Sequence, residues 1–242
     1  MKKRLYSLGF VVVFGTLVLT SCGNSESKNP NLQEPATAEM KDNGQDNKNE
    51  DKSVQTSDAK AKTTEDLLAA FKGETTASAK YAAYSKKAEQ EGYYNIALLF
   101  KAASVAENIH ANNHKSVLEE SGVQTPAITP EFTVKSTKEN LEDAIKGESY
   151  EASTMYPEFI KDASAAKNQL ALISLNYAFE TEKKHKTMYE NALSALTNNS
   201  AKDLSVTYYV CATCGNTYDV NPPKRCGICM TGSEKFLKIS TL

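Results

Sequence analysis

Two copies of one pattern, about 75 residues apart, constrain this chain more than any other feature. Glu107-Asn-Ile-His110 and Glu182-Lys-Lys-His185 each set a carboxylate and an imidazole at positions i and i+3, and each follows a tyrosine, Tyr81 or Tyr156, by 26 residues. Further upstream, Lys72-Gly73-Glu74-Thr75 matches Lys146-Gly147-Glu148-Ser149. The offset is 74 residues at the Gly-Glu pair and 75 from the tyrosine onward, so one residue is inserted between Glu148 and Tyr156. The surrounding sequence is Ala-rich with apolar residues at helical period. On a helix, residues three apart share a face, so each Glu-x-x-His presents both groups in one direction.

Four long helices follow from the same periodicity. Thr63-x-x-Asp66 approximates a capping box for the first, which runs to the break at Gly92. Tyr93 to Glu120 forms the second, stopped by Gly122 and by a loop containing Pro126 and Pro130. Ser136-x-x-Glu139 is a full capping box for the third, and the fourth spans about Ala166 to Leu196. Long helices with short connections predict a four-helix bundle over residues 63–200.

Two Glu-x-x-His motifs plus one Glu from each of the other two helices make the ligand set of a bundle-core di-iron or di-manganese site. That set is Glu74, Glu107, His110, Glu148, Glu182 and His185. An ordinary solvated pair explains one such motif, but not two in register with two Gly-Glu motifs. Glu151 lies three residues after Glu148, where the first half has Ala77, and supplies a spare carboxylate or a surface one. Tyr81 and Tyr156 sit about two turns beyond Glu74 and Glu148, placed either to hydrogen-bond a ligand carboxylate or to pack in the core. His114, one turn after His110 in Asn-Asn-His-Lys, reads as an exposed helix residue rather than a ligand.

The chain has five cysteines, an odd number that splits as one plus four. Cys211-Ala-Thr-Cys214-Gly215 and Cys226-Gly-Ile-Cys229 are two C-x-x-C pairs, able to place four thiolates around one tetrahedral Zn²⁺ or Fe ion. Two disulfides are the competing reading for an exported protein. Residues 205–242 are too few for a free-standing core, so a structural metal is expected there. Tyr208, Tyr209, Tyr218 and Phe236 are expected to cluster beside it.

The fifth cysteine belongs to a different chemistry. Residues 1–21 combine a basic start, Lys2-Lys3-Arg4, with an apolar run too short to span a bilayer, and so read as an export signal. Leu19-Thr20-Ser21-Cys22 resembles a bacterial lipobox, making Cys22 the lipidation site and the protein an envelope lipoprotein, periplasm-facing or at the outer membrane. Residues 22–62 are polar, without an aromatic side chain, and read as a flexible tether. Without the leader the formal charge falls from −2 to −5, which argues against nucleic acid as a partner.

Taken together, the Gly-Glu, Glu-x-x-His, Gly-Glu-x-x-Glu and Glu-x-x-His motifs followed by two cysteine knuckles resemble rubrerythrin. The resemblance covers about Thr63 to Leu242 and includes Phe71-Lys-Gly-Glu74 and Met155-Tyr-Pro-Glu-Phe159. It implies a mainly α protein, a ferritin-like di-iron bundle joined to a rubredoxin-like domain. It further implies two non-haem irons held by Glu74, Glu107, His110, Glu148, Glu151, Glu182 and His185, with Glu151 and His110 exchanging at one of them. One more iron, or zinc, would be held by Cys211, Cys214, Cys226 and Cys229. The activity implied is peroxidase: hydrogen peroxide reduced to water, with Glu151, His110, Tyr81 and Tyr156 at the reacting site. Electrons would come through the Cys site from an envelope donor the sequence does not name, in a head-to-tail homodimer that brings one subunit's Cys site to its partner's bundle. Two other readings are an iron-sequestering lipoprotein with a structural zinc, and a ferroxidase or manganese-type catalase. Three features depart from the family, the first being that its members are generally cytoplasmic whereas this chain reads as exported and lipidated. The second knuckle reads Cys-Gly-Ile-Cys-Met, where the family usually has Pro after the first Cys and Gly after the second. The stretch from Lys161 to Leu172 lacks the usual acidic, Gly-containing turn.

Overall fold

The computed structural model describes residues 47–242, with side chains from residue 57 onward. The leader, Cys22 and the first part of the expected tether lie outside the described residues.

Helix α1 (Asn47–Gln90) begins well before Thr63. Residues 45–72 contain neither Gly nor Pro and are rich in Lys, Ala and acidic side chains, so a helix anchored further along propagates back through them. It ends where Gly92, at φ 83°, bends the backbone so that Tyr93 N–H reaches the Ala88 carbonyl at 2.8 Å. Helix α2 (Tyr94–Glu120) stops in the same way at Gly122, φ 75°. Helix α3 (Thr137–Tyr150) starts at the expected capping box: the Ser136 hydroxyl accepts from the Glu139 amide and the Glu139 carboxylate accepts from the Ser136 amide.

The inserted residue is visible in the backbone. A π-helical turn, Glu151–Met155, joins α3 to α4 (Tyr156–Ala165), and the three form one continuous rod. An extra residue in a helix is absorbed as such a turn, and this one falls between Glu148 and Tyr156, where the repeat offset changes. Three residues, with Lys167 at φ 55°, then connect to α5 (Gln169–Thr197).

Each of the four rods is layered in the same order. One apolar layer contains Leu67, Leu118, Tyr156 and Leu175; another contains Tyr84, Phe100, Leu141 and Tyr189. Between them, on every rod, fall the carboxylates and imidazoles of the repeated motifs. Alanines at the α1–α2 crossing let the backbones approach closely enough for Ser78 and Ser104 to donate to each other's carbonyls at 2.8 and 2.7 Å.

The C-terminal part is a three-stranded antiparallel sheet in the order β2-β1-β3, from β1 (Tyr208–Cys211), β2 (Thr217–Tyr218) and β3 (Phe236–Ile239). The expected aromatic cluster is divided. Tyr218 stacks on Phe236 at 5.6 Å, whereas Tyr208 and Val210 turn the other way into the bundle's apolar layer. Burial of those two side chains fixes the sheet against α2, and the Lys101 ammonium donates to the Thr241 carbonyl at 2.9 Å.

Candidate metal centres

In the bundle, the two Glu-x-x-His motifs converge from α2 and α5. Glu107 and Glu182 each aim one oxygen at each imidazole. Nδ1 of His110 lies 3.0 Å from Glu107 Oε2 and 2.8 Å from Glu182 Oε1; Nδ1 of His185 lies 3.1 Å from Glu107 Oε1 and 2.8 Å from Glu182 Oε2. Glu74 from α1 completes one set with His110, and Glu148 from α3 completes the other with His185; in each set of four the ligand atoms lie within 4.8 Å of one another. Glu107 and Glu182 belong to both sets and would be shared by two ions held there. Glu74, Glu107, His110, Glu148, Glu182 and His185 are all buried.

Such an arrangement is costly without a cation. Oε2 of Glu74, both oxygens of Glu107, Oε2 of Glu148 and Oε1 of Glu182 are buried with no hydrogen-bond partner. Unpaired buried carboxylate oxygens carry a desolvation penalty of several kcal/mol. Protons offset part of it. Burial, then the surrounding carboxylates, push Glu74, Glu148 and Glu151 well above the usual carboxylate range. Burial would favour neutral imidazoles, yet Glu107 and Glu182 push His185 up to about 10 and His110 well above its ordinary value. Against the same burial, those imidazoles hold Glu182 down at about 2. Two divalent ions would replace these protons and satisfy the orphaned oxygens, so the residues present fit a di-metal group of the oxygen-rich, imidazole-terminated kind.

Tyr81 and Tyr156 both reach ligand carboxylates, and they do so across the halves. The Tyr81 hydroxyl donates to Glu148 Oε1 at 2.6 Å, and the Tyr156 hydroxyl donates to Glu74 Oε1. Glu151 stands outside both sets. It heads the π turn, is half-buried, and neighbours Glu148 and Glu74. His114 is not exposed: its side chain is fully buried, in contact with Tyr156 and Ser174. The i+4 spacing from His110 puts it on the inward face, and the polar Asn-Asn-His-Lys context misleads.

Cys211, Cys214, Cys226 and Cys229 also converge within 4.8 Å. All four are free thiols, with Sγ–Sγ distances of 3.5 Å for Cys211–Cys229 and for Cys214–Cys226. A disulfide needs about 2.05 Å, so the disulfide reading does not describe this structure. Amides of Thr213 and Cys214 point at Cys211, and those of Ile228 and Cys229 at Cys226. The contact between the Cys211 and Cys214 thiols, shared as a hydrogen bond, holds Cys211 at about 5 and pushes Cys214 up. Four inward thiols supported by amide N–H groups fit one tetrahedral ion. The two knuckles are built alike: Gly215 N–H reaches the Cys211 carbonyl at 2.9 Å and Met230 N–H reaches the Cys226 carbonyl at 3.1 Å. Both residues are left-handed, Gly215 at φ 77° and Met230 at φ 62°. Only Gly adopts this region without strain. Met230→Gly is therefore expected to stabilise the Cys domain by about 1 kcal/mol, seen as a higher midpoint for thermal loss of metal from the four thiols.

Sequence reasoning missed how closely the two centres are joined. Nε2 of His110 donates to the Cys214 carbonyl at 3.1 Å. Nε2 of His185 lies 2.9 Å from Thr217 Oγ1, whose own proton goes to the Gly215 carbonyl at 3.1 Å. A carbonyl only accepts, and Thr217 has spent its proton, so both imidazoles carry hydrogen on Nε2 and direct Nδ1 at the carboxylates. The loop Cys214–Thr217 thus sets the ligand nitrogen of both histidines. Gly215 permits this approach, since a Cβ there would lie 2.3 Å from His110 Nε2.

The rubrerythrin family model matches residues 65–193. Rubrerythrin-2 of Clostridium acetobutylicum is 34% identical over 181 residues, spanning 73% of this chain and 96% of that protein. Nigerythrin of Nitratidesulfovibrio vulgaris is 34% identical over 176 residues, spanning 72% of this chain and 85% of that protein. The solved structure of fully reduced nigerythrin superposes with a TM-score of 0.66 at 32% identity, covering 73% of this chain and 86% of that one. A family pattern over more than half of the sequence, and a one-third identical relative matched along nearly its whole length, settle the relationship: this chain belongs to the rubrerythrin family.

Proposed function

We propose that the protein is a peroxidase that reduces hydrogen peroxide to water, and that its bundle and Cys centres work as one unit. An iron pair held by Glu74, Glu107, His110, Glu148, Glu182 and His185 would supply two electrons for peroxide reduction, and a single iron held by Cys211, Cys214, Cys226 and Cys229 would supply their replacement one at a time. The observation that carries this reading is the 3.1 Å hydrogen bond from His110 Nε2 to the Cys214 carbonyl. It joins a ligand of one centre to a ligand of the other through a single hydrogen bond. A protein that only stored iron would have no use for that link, and a ferroxidase or catalase would not need the second centre.

The residues supply orientation and exclusion of water. Burial of both ligand sets keeps bulk water from the reacting site. Tyr81 and Tyr156 fix the terminal carboxylates Glu148 and Glu74, and Glu107 and Glu182 set the separation of the two positions. Glu151 lies outside the sets at the head of the π turn, and exchange with His110 as a ligand is the role we assign to this pair. The link lies within one chain, so we place electron exchange there, and the head-to-tail homodimer is not needed for it. The basic, apolar start and Leu19-Thr20-Ser21-Cys22 support our further proposal of an envelope lipoprotein anchored through Cys22, drawing on an envelope electron donor.

The test uses iron-loaded protein reduced anaerobically and mixed with hydrogen peroxide at a fixed concentration in large excess, so that the rate depends on protein concentration only if a dimer dissociates. Loss of peroxide with return of the thiolate–iron visible band, at a rate unchanged by dilution of the protein, supports exchange within one chain. A rate that falls on dilution moves the exchange to a dimer. A colourless protein with one zinc per chain and no peroxide turnover overturns the proposal.

A further inference from the structure

The repeat offers an internal control for the surroundings of Glu74 and Glu148. Each carboxylate accepts from a tyrosine of the opposite half, and among the rings packed on each tyrosine is one that the repeat relates to the other. At the 75-residue offset these two residues are equivalent: His114 against Tyr156, Tyr189 against Tyr81. Ring centroids are 6.1 Å apart in the first pair and 5.5 Å in the second. The chemistry differs. Tyr189 offers a buried hydroxyl with no hydrogen-bond partner. His114 Nε2 lies 3.2 Å from the Tyr156 hydroxyl, and His114 Nδ1 lies 2.8 Å from Ser174 Oγ. Ser174, too, has an apolar counterpart, Leu99. The surroundings of Glu74 therefore hold two polar residues, buried together and bonded to each other, where those of Glu148 hold none so connected.

With Glu74 ionised, as a metal ligand must be, the proton positions follow from counting donors. The Tyr156 hydroxyl has one hydrogen, and it is given to Glu74. The contact with His114 must then be one in which the imidazole donates from Nε2, leaving Nδ1 as an acceptor. The Ser174 hydroxyl, with no other acceptor among the described residues, donates to that Nδ1. All three hydrogens point the same way, from Ser174 to His114 to Tyr156 to Glu74. Reversing the His114 tautomer would turn the Tyr156 hydrogen away from Glu74 and leave that carboxylate oxygen with no donor. Burial keeps the imidazole neutral, with a pKa of about 3, so it has one acceptor nitrogen and one donor nitrogen throughout the physiological range.

We propose that His114 is a positioning residue for the bundle centre: held in its Nε2–H tautomer by Ser174, it commits the Tyr156 hydrogen to Glu74 and so fixes that ligand's orientation. The inference rests on reading the bundle as a metal centre and not on its redox activity. It makes the two positions unequal, since Glu74 is held through three linked residues and Glu148 through Tyr81 alone.

The experiment takes the metal-free full chain and titrates it with cobalt(II), whose visible absorption reports each ion bound. Wild type is compared with His114→Phe, His114→Gln and Ser174→Ala. His114→Phe keeps a ring but loses the donor; His114→Gln keeps an N–H donor near the Nε2 position. The expected result is a weakening of one of the two binding steps by about 10-fold in His114→Phe, with recovery in His114→Gln and an intermediate loss in Ser174→Ala. Nitrogen-15 spectra of the zinc-loaded protein, in which Glu74 is ionised, should show His114 protonated on Nε2 only. Equal affinity in all four proteins, a loss in His114→Phe that His114→Gln does not restore, or a proton on Nδ1 would each overturn the proposal. Failure of wild type to bind cobalt in the bundle would instead overturn the metal-centre reading beneath it.

Discussion

Glu182→Ala is expected to empty the bundle of metal while the four-thiol site keeps its ion. Glu182 belongs to both ligand sets, with one oxygen 2.8 Å from His110 Nδ1 and the other 2.8 Å from His185 Nδ1. No other change at a single position, save at Glu107, removes a ligand from both ions at once. Loss of a residue that merely supports a ligand costs 10–100-fold in metal affinity, so loss of a shared ligand should cost more than about 100-fold for each ion. The metal-free fold is affected as well. Glu182 is the carboxylate that the imidazoles hold ionised, and its removal leaves two buried cations less compensated, a change worth about 3–5 kcal/mol. Metal analysis should give one ion per chain in place of three, with the thiolate–iron spectrum unaltered. Simultaneous loss of both signals would contradict the division into two centres. A variant that still binds two ions in its bundle would contradict the ligand assignment.

Much of this site is legible in the sequence because helices translate spacing into direction. Glu and His at i, i+3 must share a face, and two copies in register must face each other when their helices pair. The single inserted residue is legible too, as a change of offset between Glu148 and Tyr156, and the π turn is its physical form. The knuckles are readable because C-x-x-C leaves few ways to point two sulfurs at one place. What escaped reading has no local cause. His114 sits among polar neighbours that suggest a solvated face. Its burial is set by α5 and the Tyr156 rod, far away in the chain, though the repeat offset that aligns it with Tyr189 was already available as a signal. The early start of α1 shows composition giving way to helix propagation, since a polar segment without Gly or Pro extends a helix that packing has nucleated elsewhere. Nor does any sequence pattern reveal that the Cys loop reaches the ligand histidines, because that contact is formed by residues about 100 positions apart.

Gly215→Ala should separate the two centres without emptying either. The glycine has φ 77°, and a Cβ there would lie 2.3 Å from His110 Nε2, 2.7 Å from its Cδ2 and 3.2 Å from the Ala106 carbonyl. The imidazole has carboxylates close on its other side, with Nδ1 2.8 Å from Glu182, 3.0 Å from Glu107 and 3.7 Å from Glu74. The Ala106 carbonyl is helix backbone, so the loop has to move, and the His110–Cys214 hydrogen bond breaks with it. Two costs add: about 1–2 kcal/mol for a non-glycine residue in the left-handed region and about 1–3 kcal/mol for overpacking. Met230 separates them. It occupies the matching place in the second knuckle at φ 62°, which shows that a side chain there is compatible with four converging thiols. Strain alone therefore leaves the thiolate spectrum in place, and any further effect of the alanine comes from its collision with His110. In iron-loaded protein, peroxide-driven return of the thiolate–iron band is expected to slow at least about tenfold, equivalent to 1.4 kcal/mol of barrier, with metal content unchanged. The His110 Nε2 proton, protected by its carbonyl partner, should also exchange faster with solvent. If the band returns at the wild-type rate while that proton is exposed, electrons do not pass by way of Cys214 and His110, and the reading of the two centres as one unit fails with it.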